Sequence, residues 1–311
     1  MRGIEALAGS FVELDSGVRL HVRRAPVDEP GRPTAVAVHG LGGSATNWTA
    51  LSRALGAELD VWAPDLPGFG ESAPSGSHTV IAYVADMTAL LERFRGPVHL
   101  IGNSMGGMIS VLVAAARPDL VATLTLISPA MPQYRLPGAA RATALVAIPG
   151  VGERLLERVG GLPAEEQVRQ LAAVIYADPA AIADDELAFA IAERGRRMQQ
   201  PYADAVLLEA LRSIVGQYTL PPSRSAWASA RRVLCPMLVL VGGKDTLVGA
   251  WSARRWRRTQ PGARVVAIPG AGHVAMMEHP AVVAELITTF LRDVSENPTT
   301  TPRADVHQVD D

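Results

Sequence analysis

The sequence predicts an α/β chain: a mostly parallel sheet flanked by helices, with a helical cap inserted before the last strands. Three observations lead there. Short, continuous apolar runs recur at residues 35–38, 61–63, 98–101, 124–127, 238–241 and 265–268. Runs of that length and composition suit strands buried on both faces. Helically spaced apolar residues separate them, at Trp48, Leu51 and Leu55, at Val84, Met87, Leu91 and Phe94, and at Val282, Leu286 and Phe290. Strand and helix in alternation give a parallel sheet covered on both sides. The alternation stops near Met131 and resumes near Met237.

Taken in order, residues 10–14 and 18–22 alternate about the turn Asp15-Ser16-Gly17, which predicts an antiparallel hairpin. A Pro/Gly-rich connector, 28–33, leads into the first buried run. The interruption holds no strand-like run. Its helical segments are divided by Pro132, Pro137, Pro149, Pro163, Pro179, Pro201 and Pro221-Pro222, giving four or five helices. The expected organisation is a core of residues 1–130 and 231–294, a cap over 131–230, and a tail over 295–311. The tail has few apolar residues and no period, so it is expected to be disordered.

Composition excludes several classes of function. With 311 residues and 48% hydrophobic content, the chain can bury a large core and is not disordered overall. Its formal charge of −2 leaves no basic excess to neutralise a phosphate backbone, so no nucleic-acid partner is expected. The single cysteine, Cys235, allows no intrachain disulfide and no thiolate-rich metal site. Glu5, Glu13 and Asp15 interrupt the N-terminus, which does not read as a secretory leader. The apolar stretches 105–116 and 142–152 fall short of the about 20 residues that span a bilayer. A soluble, cytoplasmic protein without stable membrane insertion is expected.

The strongest chemical signal is Gly102-Asn-Ser104-Met-Gly106-Gly107, between an apolar strand and an apolar helix. In that setting a Gly-x-Ser-x-Gly turn presents its serine as a nucleophile. The flanking glycines remove clashes in a tight, strained turn. The Met105 N–H then stands where an oxyanion would form. Straight after the first buried run comes His39-Gly40-Leu41-Gly42-Gly43. It reads either as a second oxyanion segment, with the Leu41 N–H as donor and His39 bracing the loop, or as an ordinary strand-to-helix turn.

A serine hydroxyl needs a base. Of seven histidines, His273 stands in Pro269-Gly-Ala-Gly-His273, directly after the last strand run. The other reading is a surface loop histidine. Asp245, in Val241-Gly-Gly-Lys-Asp245, is the candidate acid that orients it, in the chain order Ser104, Asp245, His273. The turn after the 124–127 run is Ser128-Pro129 and offers no acid. Asp65, in Asp65-Leu-Pro-Gly-Phe-Gly-Glu-Ser72, reads as a loop brace.

With these residues the chain resembles the α/β-hydrolase superfamily of serine hydrolases, esterases and lipases among them. His39-Gly40, the 65–72 segment, the 102–107 turn, Gly243-Lys-Asp245 and Gly272-His273 occur in its order. The resemblance covers about residues 11–294 and implies an α/β-hydrolase fold. Haloalkane dehalogenases and epoxide hydrolases of this superfamily carry an aspartate where Ser104 stands. Gly102-Asn-Ser-Met-Gly-Gly107 and Met277-Glu-His-Pro280 also resemble carbon–carbon bond hydrolases of aromatic ring-cleavage pathways. There a tryptophan typically follows the catalytic histidine, and a cap arginine binds the substrate's oxoacid end. Here Val274 follows His273, and Arg194, Arg196 and Arg197 are either that arginine or a solvated helix face.

The expected function is a serine hydrolase cleaving a small-molecule carboxylic ester through an acyl-enzyme, with no metal or organic cofactor. Leu145, Val146, Ile148, Val151, Leu155 and Leu156 either line an apolar acyl or aromatic pocket or pack on the core. The rival expectations are carbon–carbon cleavage of a vinylogous diketone and a slow-turnover ligand receptor on the same scaffold. Oligomeric state is not legible.

Overall fold

A computed structural model describes residues 7–26, 31–133, 136–249 and 251–297. The first six residues, the start of the 28–33 connector and the tail beyond Asn297 lie outside the described residues. The strands are β1 (Ala8–Glu13), β2 (Arg19–Arg24), β3 (Thr34–Val38), β4 (Asp60–Pro64), β5 (Val98–Asn103), β6 (Val121–Ile127), β7 (Met237–Gly242) and β8 (Arg264–Ile268). They form one sheet in the order β1-β2-β4-β3-β5-β6-β7-β8. The β1–β2 and β2–β4 pairs are antiparallel, and every other neighbouring pair is parallel.

The apolar runs work as expected. Val36 and Val38 of β3 belong to one core cluster, and Ala35 and Ala37 to the cluster on the opposite face. Val239 and Val241 divide from Leu238 and Leu240 in the same way along β7. Strands β3 and β7 therefore bury both of their faces, which only helices on both sides allow.

Those helices are α1 (Thr49–Leu55), α2 (Val80–Leu91), α3 (Met105–Ala116), α4 (Gly138–Val146), α5 (Val151–Gly160), α6 (Ala164–Ile175), α7 (Asp184–Met198), α8 (Ala203–Gln217), α9 (Ala226–Ala230), α10 (Ser252–Thr259), α11 (Ala275–Glu278) and α12 (Pro280–Glu296). Buried nearly all round, α3 lies deep beside the sheet. Thr79 Oγ1 caps α2 by accepting the Ala82 N–H at 3.2 Å, satisfying one of its free amide groups.

The chain runs from β3 out to β4 and returns to β5 on the other side of β3. That reversal opens a crevice at the carboxyl ends of β3 and β5, the usual place for a ligand in such sheets. Between β6 and β7 the regular elements among the described residues are the helices α4 to α9 and one short 3-10 turn, Pro179–Ala181.

Four details differ from the sequence reading. Helix α10 was not anticipated. Helix α9 packs into the main core through Trp227, which stacks at 4.8 Å on Trp256 of α10. Helix α12 runs through Glu296, two residues beyond the expected end of the core. The stripe expected to line a pocket or pack on the core is largely outward: Leu145, Ile148, Val151 and Leu155 are exposed, while the small residues Ala147 and Gly152 face inward. No helix among the described residues is long and apolar enough to cross a membrane.

Candidate active site

Ser104 sits between the end of β5 and the start of α3 with φ 53° and ψ −117°, a conformation that costs a non-glycine residue strain. Its neighbours explain how the chain tolerates the turn. A Cβ at Gly106 would lie 2.1 Å from Val38 O, and one at Gly102 would lie 2.5 Å from Gly106 O. Only glycine lets β3, β5 and α3 close around the serine, whose own side chain remains half-buried.

His273 and Asp245 are brought together directly. His273 Nδ1 donates to Asp245 Oδ2 at 2.9 Å, and both residues are buried. The other carboxylate oxygen, Oδ1, accepts the Leu247 and Val248 N–H groups at 2.8 and 2.9 Å. Burial pushes the Asp245 carboxyl up. The neighbouring His273, with its charge and hydrogen bond, and the Val248 N–H outweigh burial and hold it below the ordinary carboxylate range. The buried Ser128 hydroxyl adds to that lowering from beside Asp245, without the geometry of a full hydrogen bond. Asp245 is therefore an acceptor at neutral pH, and the bond it accepts comes from His273 Nδ1.

Ser104 reaches the same sheet edge through its neighbours. Asn103 Nδ2 donates to Ile127 O at 3.0 Å and to His273 O at 3.1 Å, tying the serine turn to the histidine. No hydrogen bond joins the Ser104 hydroxyl to His273 among the described residues. Such contacts often tighten only with substrate bound.

The loop after β3 completes the edge. A Cβ on Gly40 would lie 3.1 Å from Ser104 Cβ, so this loop packs against the serine. The Leu41 and Met105 N–H groups donate to no acceptor among the described residues. His39 is fully buried beneath them. Its Nε2 accepts the Leu66 N–H at 3.0 Å and its Nδ1 donates to Gly40 O at 2.8 Å. Burial holds its pKa below the ordinary value, so it stays neutral and braces the loop.

Asp65 lies elsewhere. It accepts from His21 Nδ1 at 2.8 Å, from the Ala45 N–H at 2.6 Å and from the Glu71 N–H at 2.9 Å.

The arginines of α7 all hold protein partners, Arg194 and Arg196 half-buried and Arg197 buried. Arg194 donates to Gln167 Oε1 at 2.7 Å. Arg196 pairs with Glu193 and donates to Gly70 O at 3.3 Å. Arg197 is buried and donates to Gly42 O, and burial lowers its pKa to about 10. An open cavity of about 690 Å³ lies between α5 and α8, lined by Leu156, Leu208 and Arg212 among others, and touches none of these residues. No cluster of three or more acidic, histidine or cysteine side chains suited to a metal occurs among the described residues.

Sequence reading missed Asn103 and Ser128. Asn103 stood inside the serine motif, but nothing local marks its bond to a residue 170 positions away.

Known proteins resemble this chain in sequence and fold. The chain is 32% identical over 279 residues to the dihydrolipoyllysine-residue acetyltransferase component of the acetoin cleaving system of Pseudomonas putida, covering 85% of this chain and 64% of the relative. It is 29% identical to the sn-1-specific diacylglycerol lipase ABHD11 of Mus musculus, over 83% of this chain and 81% of that one. The chain spans about two thirds or less of several curated relatives that it matches, at 64%, 43% and 66% of their length. Among solved structures, a thermophilic esterase from Thermogutta terrifontis superposes with a TM-score of 0.70 at 26% identity, covering 92% of this chain and 99% of that one. The Alpha/beta hydrolase family model matches residues 35–286, and the chain belongs to that family.

Proposed function

We propose that the chain is a serine hydrolase that cleaves a carboxylic ester, with an apolar acyl or aromatic group, through an acyl-enzyme. The observation that carries this reading is the meeting, at one sheet edge, of a strained serine, a buried His273–Asp245 pair and two free N–H groups. The names of an acetyltransferase and a diacylglycerol lipase among its relatives support acyl chemistry, and that of a structural neighbour supports ester cleavage.

Ser104 Oγ forms a bond to the ester carbonyl carbon while its proton passes to His273 Nε2. The carbonyl π pair moves onto oxygen, and the N–H groups of Leu41 and Met105 stabilise it. Asp245 holds the imidazole in the needed tautomer and stabilises the imidazolium. Collapse expels the alcohol, which takes the proton from His273. Water then gives a proton to His273 and attacks the acyl carbon. A second collapse frees the acid and returns the proton to Ser104. The helices inserted over residues 131–230 act as a cap that roofs the cleft.

The carbon–carbon reading needs a cap arginine for an oxoacid, and Arg194, Arg196 and Arg197 each already hold a protein partner. Ester cleavage therefore stands first. The test is Ser104→Ala with a nitrophenyl ester panel and a ring-cleavage dienoate. Loss of ester turnover by several orders of magnitude, with fluorophosphonate labelling abolished and the fold intact, supports the reading. A tenth of wild-type activity retained, or dienoate turned over in preference to esters, overturns it. Binding without steady-state turnover would point to a receptor instead.

A further inference from the structure

Where α6 ends, the inserted chain lies directly on the loops that carry His273 and Asp245. The His273 N–H donates to Ile175 O at 2.7 Å. Thr246 Oγ1, beside Asp245, donates to Val174 O at 2.7 Å. Glu278 of α11 straddles this seam: Oε1 accepts the Gly272 N–H at 2.8 Å, and Oε2 accepts the Ala177 N–H at 2.7 Å. The two backbones meet so closely that a Cβ at Gly272 would lie 2.6 Å from both Ala177 N and Ile175 O.

We propose that Glu278 is a positioning residue whose carboxylate fastens the insert to the histidine loop and so sets the place of His273. The proposal rests on the reading of His273 as the base. The backbone of His273 is held on its two sides, its carbonyl by Asn103 of the core and its N–H by Ile175 of the insert. Only the second hold depends on the insert staying docked. Glu278 bonds the residue just before His273 and the residue two beyond Ile175, so it spans that hold. Hydrogen bonds to a carboxylate are stronger than those between neutral groups, and a pair of them fixes direction as well as distance. Gly272 is glycine because the insert comes this close.

The experiment compares Glu278→Gln with the wild-type chain on a short nitrophenyl ester. Glutamine keeps the size, but its one amide oxygen serves one N–H while its NH2 faces the other. We expect kcat to fall about tenfold to a hundredfold, the range for a misplacement near 1 Å, with KM within about threefold. The rate of fluorophosphonate labelling at Ser104 should fall in parallel, while its end-point and the melting temperature stay near wild type. Gly272→Ala opens the seam from the other side. In the double variant the losses should be non-additive, no greater than about the worse single loss, as for residues serving one contact. Wild-type kcat in Glu278→Gln, fully additive losses, or a loss confined to the labelling end-point each overturn the proposal. His273→Ala is measured alongside. If it keeps turnover, the base assignment itself fails. If it is inactive while Glu278→Gln is unimpaired, only the seam fails.

Discussion

His273 bonds Asp245 through Nδ1 at 2.9 Å, and His21 bonds Asp65 through the same nitrogen at 2.8 Å. All four residues are buried. Judged by the pair alone, the chain has two equally good orienting acids. The surroundings separate them. Beyond its bond to Asp245, His273 stands at the carboxyl end of the sheet, tied to the residue before Ser104. The His21 ring is enclosed: a Cβ on Gly9 would lie 2.0 Å from its Nε2, and Glu71 Oε2 is 4.0 Å away. The two aspartates also differ. Each accepts two N–H groups besides its histidine, but those on Asp245 come from Leu247 and Val248 just after it, whereas those on Asp65 come from Ala45 and Glu71, and the Asp65 carbonyl also accepts from Ser72 Oγ, which in turn accepts the His21 N–H. A buried His–Asp pair is thus a part that occurs at two places in this fold, and what surrounds each pair tells them apart.

The largest effect that tests this contrast is on turnover. On the proposed mechanism Asp245→Asn lowers kcat by about ten-thousandfold, because the imidazole takes the wrong tautomer. Asp65→Asn should leave kcat of the folded fraction within about threefold while costing about 1–3 kcal/mol for each buried donor left unsatisfied. Steady-state kinetics at equal folded fraction, with urea unfolding of both variants, separates the two outcomes. Comparable losses of kcat would mean that the pairs have been assigned the wrong way round.

A third buried carboxylate sharpens the comparison, because no histidine bonds it. Burial raises Asp86 of α2 to about 6 against a weaker opposing pull from His78, and its Oδ2 has no partner among the described residues. Asp245 and Asp65 lie below the ordinary carboxylate value in the fold, since their bonds outweigh burial. Their stabilisation is complete above the unfolded carboxylate pKa, near about 4, and is lost as pH falls through their folded values. Asp86 acts with the opposite sign. The stability from its protonated form is complete below about pH 4 and is lost as pH rises through about 6. Asp86→Asn should therefore raise stability by about 3 kcal/mol at pH 7 and flatten the pH profile between about 4 and 6. Unfolding free energies measured across that window check it.

The smallest effect concerns the insert. Leu145 and Leu155 are exposed, so Leu145→Ala and Leu155→Ala should change the ratio of kcat/KM between short and long acyl esters by less than about twofold. A methylene lost from a real pocket contact changes such a ratio by about tenfold or more. A large shift in the ester panel would return these side chains to the substrate.

Much of this was legible in the sequence because the signals are local. Continuous apolar runs report burial on both faces, and a serine flanked by glycines between strand and helix reports its own turn. Helix α10 was missed because Ser-Ala-Arg-Arg-Trp-Arg-Arg-Thr buries only Ser252, Ala253 and Trp256, and four arginines hide the period. The outward stripe of α4 and α5 was misread because an apolar pattern cannot say which face packs when small residues make the inner contact. Glu278 stood in the sequence as part of a resemblance. Its partner across the seam is 101 residues away, a distance at which no spacing rule applies.

The backbone angles of Ser104 carry a last consequence. A serine held at φ 53° costs about 1–3 kcal/mol relative to a relaxed residue, and a glycine there would escape most of that cost. On the proposed mechanism, folding and turnover therefore select in opposite directions at position 104. A search for thermostable variants that never assays turnover would enrich the replacement that removes the proposed nucleophile.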